Sequence, residues 1–528
     1  MSAALTLPTA IARQAVAHKR ITALVLGFLS ALGFEPLALW PVALLAMGGF
    51  VLLLGKVEGR REAFVLGWLF GLAHFTFGNN WIATAFTYQA EMPAVLGWAA
   101  VPLLALYLAV YPALAALGAR LLVRKGGDWP LVPAFAGAWI VSEWLRSWVF
   151  TGYVWNPFGV VLLSGFARPG IAALAPWLGT YALSGLAVLL GAAAAVLLLR
   201  RRLVPLGFLA ALVTAGMLWP GPAETEGTLQ YTLVQPDIRQ EQLNEGRFFE
   251  ANYQKIADLA RPARPGEHRL VLWPESGVPD YLLDGYPQRY YDHMTAFGDP
   301  RLARLRIGRT IGQGSLLLTG AVDLEMRGGQ AAGARNSVTA LTAEGRIVGH
   351  YAKAHLVPYG EYLPMRYILE PLGASRLVPG AIDFWPGPGP RTIDLGEWGK
   401  AGVQICYEII FSGQVVDRKH RPDYIFNPSN DGWFGTFGPP QHLAQARLRA
   451  IEEGLPILRS TTTGISAVID AHGVVRAHVP QHVAGRLDGL VPPALPPTWF
   501  AQLGNILPLC WAAVSLVAAA IAMRLRAR

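Results

Sequence analysis

The sequence predicts a membrane α-helical bundle of about eight transmembrane helices, with one α/β domain inserted before the last of them. Three observations predict it. The 528 residues are 53% hydrophobic and only 15% charged, against about 25% charged in an ordinary soluble domain. The apolar excess is concentrated in residues 21–219 and again near the C-terminus, in stretches of helical length. Between them, residues 224–497 are richer in Asp, Glu, His and short β-branched runs. Such a composition excludes a disordered or fibrous chain and a purely soluble one.

Crossing the hydrocarbon takes about 20 helical residues. In chain order the candidate spans are residues 21–33, 37–54, 63–77, 96–122, 131–150, 174–199 and 203–218, and an eighth at 506–523. Pro- and Gly-containing breaks such as Phe34-Glu-Pro36 and Asn156-Pro-Phe-Gly159 separate them. No small-residue cleavage site precedes the second span, so the first is expected to stay in the mature chain. Cytoplasmic loops retain Lys and Arg. Arg13, Lys19 and Arg20 precede the first span; Lys56, Arg60 and Arg61 follow the second; Arg120, Arg124 and Lys125 follow the fourth. Arg200, Arg201 and Arg202 follow the sixth, and Arg524, Arg526 and Arg528 the eighth, whereas the alternate short loops carry only Arg146 and Arg168. Both termini are therefore expected in the cytoplasm and the inserted domain on the opposite side. The expected domains are residues 1–223, a seven-helix membrane region; 224–497, the inserted domain; and 498–528, the last helix with a basic tail.

Within the insertion, β-rich runs fall at residues 231–234, 270–273, 315–319, 334–341, 401–405, 424–427 and 466–470. Helical patterns at 248–259 and 442–453 lie between some of them, and the alternation argues for an α/β domain. Two cysteines, Cys406 and Cys510, cannot make a disulfide framework, and neither has a Cys or His neighbour at metal-ligand spacing. His355, His442 and His472 stand apart from any ligand set, so no metal and no cofactor is expected. The net charge of +9 sits at helix ends, which fits a membrane protein and not nucleic-acid binding.

Three residues that carry chemistry follow predicted strands: Glu275 in Leu270-Val-Leu-Trp-Pro-Glu275, Lys353 in His350-Tyr-Ala-Lys353, and Cys406 in Gly402-Val-Gln-Ile-Cys406-Tyr-Glu408. Alone, each has a plain structural explanation: a small buried thiol, a solvated amine, a carboxylate at a helix start. Together with Asn427-Pro-Ser-Asn-Asp-Gly-Trp-Phe434, Arg449-Ala-Ile-Glu452 and Arg459-Ser-Thr-Thr-Thr-Gly464, they resemble the nitrilase superfamily, which attacks carbonyl and related carbon centres with a Glu-Lys-Cys triad. A nitrilase-like domain between seven spans and an eighth resembles the apolipoprotein N-acyltransferase family of bacterial envelopes.

The resemblance implies an α/β/β/α sandwich on the periplasmic face of the inner membrane. It implies a phospholipid acyl donor, typically phosphatidylethanolamine, and a diacylated apolipoprotein acceptor whose N-terminal cysteine carries the free α-amino group. Lipid bilayer is the medium, nucleic acid is not a partner, and a monomer is expected. Cys406 is the implied nucleophile and Glu275 its base, since a thiol of pKa about 8.5 is mostly protonated near neutrality. Lys353, with a backbone N–H near Tyr407, would offset the oxyanion. Acylation would leave a Cys406 thioester, which the acceptor amine then attacks in a ping-pong scheme.

Glu361 matches a further family carboxylate that either keeps Lys353 charged and oriented or steadies the base. Tyr407 and Glu408 match residues important for activity, Glu408 either positioning a donor head group or buttressing the site. Asn427 and Trp433, with Asn430 and Asp431, are expected to shape a loop over the site. Arg449, Glu452 and Arg459 are expected to form one internal ion-pair network. One departure is that Gln235-Pro-Asp-Ile238 is followed by Arg239-Gln-Glu-Gln-Leu-Asn244, without the aromatic residue the family carries there; Phe248 or Phe249 is the expected substitute. The alternative is a membrane-bound nitrilase-type amidase that passes the acyl group to water.

Overall fold

The computed structural model describes residues 14–88, 94–123, 127–243, 245–372 and 382–527. Asn244 and the basic residues Arg13, Arg124, Lys125 and Arg528 lie outside the described residues. The chain forms two units: one holds the residues up to Ala83, those from Val95 to Gly221 and those from Gln502 onward; the other holds Thr84–Ala94 and Pro222–Ala501.

The first unit is helical. Its helices are α1 (Lys19–Ala31), α2 (Trp40–Gly55), α3 (Arg60–Gly78), α4 (Val95–Leu108), α5 (Val110–Leu122), α6 (Asp128–Arg146), α7 (Ala175–Leu199), α8 (Leu203–Leu218) and the C-terminal helix Ile506–Ala527. Each of the eight predicted spans thus has a helix at its place. Among the described residues, three stretches are long and apolar enough to cross a membrane: Val95–Leu122, Gly170–Leu199 and Ile506–Leu525. Trp40–Gly55 and Leu203–Leu218 are apolar but shorter. α1 has only 13 residues, and α6 carries Asp128, Glu143 and Arg146. The helix expected over 96–122 is present as the stretch Val95–Leu122, in which α4 and α5 meet at Ala109, itself in helical conformation. Pro112 has no N–H to give the Leu108 carbonyl, which loosens the ladder at that turn.

Small residues let these helices approach closely. A Cβ on Gly48 of α2 would stand 2.2 Å from the Gly191 carbonyl oxygen of α7. The Asn156-Pro-Phe-Gly159 break lies in an irregular buried segment, and its polar backbone is satisfied from the helices. Arg146 Nη1 donates to the Tyr153 and Trp155 carbonyls, Glu143 Oε1 accepts from Phe158 N at 2.8 Å, and Ser184 Oγ from Gly159 N at 2.7 Å. Outward residues of α8 are apolar and open, Val204 86% and Phe208 74% exposed, as on a surface facing lipid.

The second unit is an α/β/β/α sandwich. Strands β1 (Gln230–Gln235), β2 (Arg269–Leu272), β3 (Ser315–Arg327), β4 (Gln330–Thr342), β5 (Ile347–Ala352) and β12 (Gly485–Leu490) make one sheet in the order β12-β1-β2-β3-β4-β5. Strands β6 (Thr392–Asp394), β7 (Lys400–Val403), β8 (Tyr424–Ser429), β9 (Ile457–Thr461), β10 (Ser466–Ile469) and β11 (Val475–Val479) make the other, ordered β11-β10-β9-β8-β7-β6. Helices α9 (Phe249–Ala260) and α10 (Pro300–Ile311) cover the outer face of the first sheet, where Tyr253, Ile256, Ile307 and Ile311 pack on Val234, Val271 and Leu317. Helix α11 (Gly438–Glu453) packs on the second sheet through β9. The sheets are joined through polar side chains of β9: Ser460 Oγ donates to Val234 O at 2.7 Å and Thr461 Oγ1 to Gln235 Oε1 at 2.9 Å.

Direction of the strands decides where the chemistry collects. β2 runs parallel to β3, β3 antiparallel to β4, and β4 antiparallel to β5, so β2 and β5 end on the same edge. β7, β8 and β9 are mutually parallel. Residues following their carboxyl ends therefore meet at one place, as they do in open α/β sheets generally.

Candidate active site

Glu275 follows β2, Lys353 follows β5, Cys406 follows β7 and Asn430 follows β8. The backbone at Glu275 lies directly over β3. Gly320 N donates to Pro274 O, and a Cβ on Gly320 would stand 2.7 Å from Glu275 Cα, so a glycine is needed there for the loop to lie so close. Glu275 is buried, and both its oxygens are engaged: Asn336 Nδ2 donates to Oε1 at 2.6 Å and Asn430 N to Oε2 at 2.7 Å. Burial pushes its pKa above the usual carboxylate range, and the positive charge of Lys353 opposes that rise.

Lys353 is 1% exposed. Its Nζ is 2.9 Å from Glu361 Oε2 and 3.8 Å from Glu275 Oε1. Burial alone would lower its pKa, but Glu361 first and Glu275 next outweigh it and hold the ammonium well above the usual range. Asn336 ties the two carboxylates together, since the same Nδ2 also donates to Glu361 Oε1 at 2.9 Å. Glu361 is fixed from behind by Val357 N, which donates to Oε2 at 2.8 Å. Asn336 carries no local mark in the sequence, because its place at the two carboxylates depends on the pairing of β3 with β4.

Cys406 opens a short 3₁₀ turn, Cys406–Ile410, with φ at +50°. That is the left-handed region, sparsely used by residues with a Cβ. The thiol is buried, and burial, followed by the charge of Glu275, pushes it up; Lys353 opposes. Glu408 closes the turn. Its Oε2 accepts from Ile405 N at 2.8 Å, and its Oε1 from Tyr351 Oη, Ala354 N and His355 N at 2.8, 2.7 and 3.1 Å. Through these bonds Glu408 links the residues at the end of β5 to the Cys406 turn. Burial pushes it up to about 7. Tyr407 is buried with its ring edge-on to those of His355 and Phe411.

The residues expected over the site divide into two groups. Asn427 is fully buried within β8; it donates to Gln404 O at 2.6 Å and accepts from Arg459 Nη1. It braces the sheet and does not sit in a covering loop. Trp433 is half-buried with its ring edge-on to Tyr88 at 5.7 Å, and Tyr88 arrives on the Thr84–Ala94 segment. Of the residues expected in an internal ion-pair network, Arg449 pairs with Glu452 at 2.7 Å and Arg459 with Asp431 at 2.7 Å, all four buried. Phe249, one expected substitute for the missing aromatic residue, lines a cavity of about 260 Å³ with Leu243, Tyr253 and Ser276.

His442, which sequence spacing left apart from any ligand set, stands beside Cys406. Donor atoms of Cys406, Asp431 and His442 lie within 4.8 Å of one another. Both Asp431 oxygens already accept from Arg459 Nη2, at 2.9 and 2.7 Å, and His442 Nε2 meets the Cys406 carbonyl at 3.1 Å. These bonds fit an ion-pair network better than the ligand shell of a cation. Burial alone would raise Asp431, but Arg459 and then His442 hold it below the usual range.

Residues 26–193 match the family model described as apolipoprotein N-acyltransferase N-terminal domain, and residues 232–491 match that of carbon-nitrogen hydrolase. An apolipoprotein N-acyltransferase of Rhodopseudomonas palustris is 35% identical over 520 residues, which cover 92% of this chain and 92% of the relative. One of Bradyrhizobium diazoefficiens is 34% identical over 536 residues, covering 97% of this chain and 95% of the relative. The crystal structure of Saccharomyces cerevisiae Nit3, a member of branch 10 of the nitrilase superfamily, is similar at 17% identity and a TM-score of 0.35, over 52% of this chain and 93% of that one.

Proposed function

The chain belongs to the apolipoprotein N-acyltransferase family, and from that premise we propose that it moves an acyl chain from a membrane phospholipid to the α-amino group of the diacylglyceryl-cysteine that begins an apolipoprotein. Phosphatidylethanolamine is the proposed donor, and the product is a triacylated lipoprotein. The observation that carries the reading is the convergence of a buried thiol, a buried carboxylate bonded at both oxygens and a buried ammonium, delivered by strand ends of two different sheets.

Glu275 takes the Cys406 thiol proton as sulfur attacks the ester carbonyl and the C–S bond forms. The tetrahedral oxyanion is offset by Lys353 and by the Tyr407 N–H. Collapse breaks the ester C–O bond, the proton on Glu275 passes to the leaving oxygen, and lysophospholipid departs. The acceptor amine then attacks the thioester, gives its proton to Glu275, and expels the Cys406 thiolate, which regains that proton. Glu361 and Asn336 hold Lys353 and Glu275 in place; Glu408 and Asn427 brace the two strand ends; Trp433 offers apolar contact beside the site. Because Glu275 is raised by burial, it is a stronger base than an exposed carboxylate.

In this reading the eight predicted spans all cross the bacterial inner membrane, helped by local thinning of the bilayer where they are short. Both termini lie in the cytoplasm, the α/β unit of residues 224–497 faces the periplasm between membrane regions 1–223 and 498–528, and a monomer suffices, since one chain supplies the whole triad. Both substrates carry acyl chains and partition into lipid, which gives a multi-helix anchor its use.

The test is intact mass of the detergent-purified protein after incubation with phosphatidylethanolamine alone. Wild type is expected to gain one acyl mass, labile to hydroxylamine and removed by a diacylated lipopeptide with transfer of the acyl group to it; Cys406→Ala gains none. Release of free fatty acid with the lipopeptide left unmodified would replace the transferase by the amidase-type hydrolase. No adduct on wild type would sink the thioester.

A further inference from the structure

We infer that His442 is a positioning residue that sets the plane of the Cys406–Tyr407 peptide and thereby aims the Tyr407 N–H at the oxyanion. The inference rests on the acyl-transfer reading above and adds a residue to it. His442 is fully buried on α11, 36 positions from Cys406. Its Nε2 lies 3.1 Å from the Cys406 carbonyl oxygen, and its Nδ1 lies 2.9 Å from Arg459 Nη2 and 3.0 Å from Asp431 Oδ1.

The contact at Nε2 decides what the main chain of Cys406 meets. A carbonyl oxygen only accepts, so Nε2 carries the hydrogen. Nδ1 stands between Arg459 Nη2, which only donates, and Asp431 Oδ1, which only accepts, so the ring is held from that side by both members of the pair. Burial, followed by the charge of Arg459, lowers the ring's pKa. Asp431 accepts from the same Arg459 nitrogen at 2.9 and 2.7 Å, so the guanidinium is itself held. The order of constraint therefore runs from the Asp431–Arg459 pair to the imidazole, and from the imidazole to the main chain of the nucleophile.

What the bond does follows from the planarity of the peptide. In a trans peptide the C=O and the following N–H point in opposite directions. Pinning the Cys406 carbonyl on the α11 side therefore turns the Tyr407 N–H to the other side. Accepting a hydrogen bond at that carbonyl also polarises the peptide and strengthens its N–H as a donor. The restraint is needed because Cys406 sits at φ +50°, a conformation that persists only where neighbouring groups hold it. The loop carrying Asp431 also carries Asn430, whose N–H bonds Glu275 Oε2 at 2.7 Å. One buried pair thus serves both the base and the oxyanion donor.

Two substitutions separate the two hydrogen bonds of the ring. In His442→Asn the amide oxygen takes the place of Nδ1 and still accepts from Arg459, but nothing reaches the Cys406 carbonyl. In His442→Gln the longer amide returns a donor at the position of Nε2. Two reactions of the same thiol are then measured on the purified full-length chain. Acylation by the p-nitrophenyl ester of a fatty acid, read as a burst of nitrophenol, passes through an oxyanion; alkylation by iodoacetamide does not. The Asn variant is expected to acylate about 10²–10³-fold more slowly than wild type, the cost of losing one oxyanion donor, while alkylating at the wild-type rate. The Gln variant is expected to recover most of the acylation. Equal losses in both reactions, a Gln variant as slow as the Asn variant, or an Asn variant that fails to fold where the Gln variant folds would each overturn the inference. Wild type acylated by the nitrophenyl ester but not by phosphatidylethanolamine would overturn the donor proposed above and leave the role of His442 standing.

Discussion

The two sheets of the catalytic unit bring opposite kinds of electrostatics to one site. The first sheet contributes charge: Glu275 and Glu361, each within 3.8 Å of the Lys353 ammonium and both tied by Asn336. The second contributes a neutral thiol set on a strained turn, with its charges held behind it in the Asp431–Arg459 pair. In the proposed reaction, protons move on one side and geometry is kept on the other. Damage to the first sheet's charged residues should therefore appear in rate and its pH dependence, and damage to the Asp431–Arg459 pair behind the thiol chiefly in stability.

The largest effect that tests this division is on the first side. Glu275→Gln keeps the shape and removes the base, and thioester formation is expected to fall by about 10²–10⁴-fold with little change in melting temperature. The sign of the pH dependence follows from the shift. Burial raises Glu275, and a base works only when deprotonated, so wild-type acylation should rise with pH through a pKa above the usual carboxylate value. The Gln variant should lack that limb. A Gln variant that keeps the same acid limb would assign it to another group and break the comparison.

On the second side, Asp431→Asn leaves the Arg459 guanidinium buried without its counter-charge. Breaking a buried pair in this way costs about 3–5 kcal/mol, read as a lowered midpoint in thermal melts. Because Asp431 is depressed in the folded state, its contribution is complete above the unfolded pKa of about 4 and is lost as pH falls below it. Wild type should therefore lose stability on acidification through that window, and the Asn variant should lose less. A variant that melts like wild type but acylates slowly would place Asp431 among the reacting groups instead.

The fold was legible where a pattern is local. The helix at residues 203–218 needed only its apolar run, and the strands at 231–234 and 424–427 only their β-branched residues between turn signals. The short strand β6 was not, since it depends on a partner strand. At the site, Glu275, Lys353 and Cys406 could be singled out because each follows a strand in a recognisable word. Asn336, Tyr351 and His442 could not. An asparagine in mid-strand or a histidine on a helix has no local mark of function, and each acquires its part only when β4, β5 and α11 bring it to a carboxylate or a carbonyl. Asn427 shows the converse: its word suggested a loop over the site, and its side chain turned out to tie β8 to Gln404 and Arg459.

The smallest of the expected effects falls on the seam between the two sides. Glu408 accepts four hydrogen bonds and joins the β5 end to the Cys406 turn. Glu408→Gln puts an amide N–H₂ against N–H and O–H donors, and leaving one or two of them unmatched costs about 1–3 kcal/mol. The loss should itself depend on pH. Burial raises Glu408 to about 7 in the folded protein, so its contribution is complete below the unfolded pKa of about 4.3 and declines as pH rises through about 7. The melting difference between wild type and Glu408→Gln should accordingly be larger at about pH 5 than at about pH 8. A difference that widens toward alkaline pH would mean that the seam is held by the carboxylate's charge, and that the electrostatic division between the sheets extends across it.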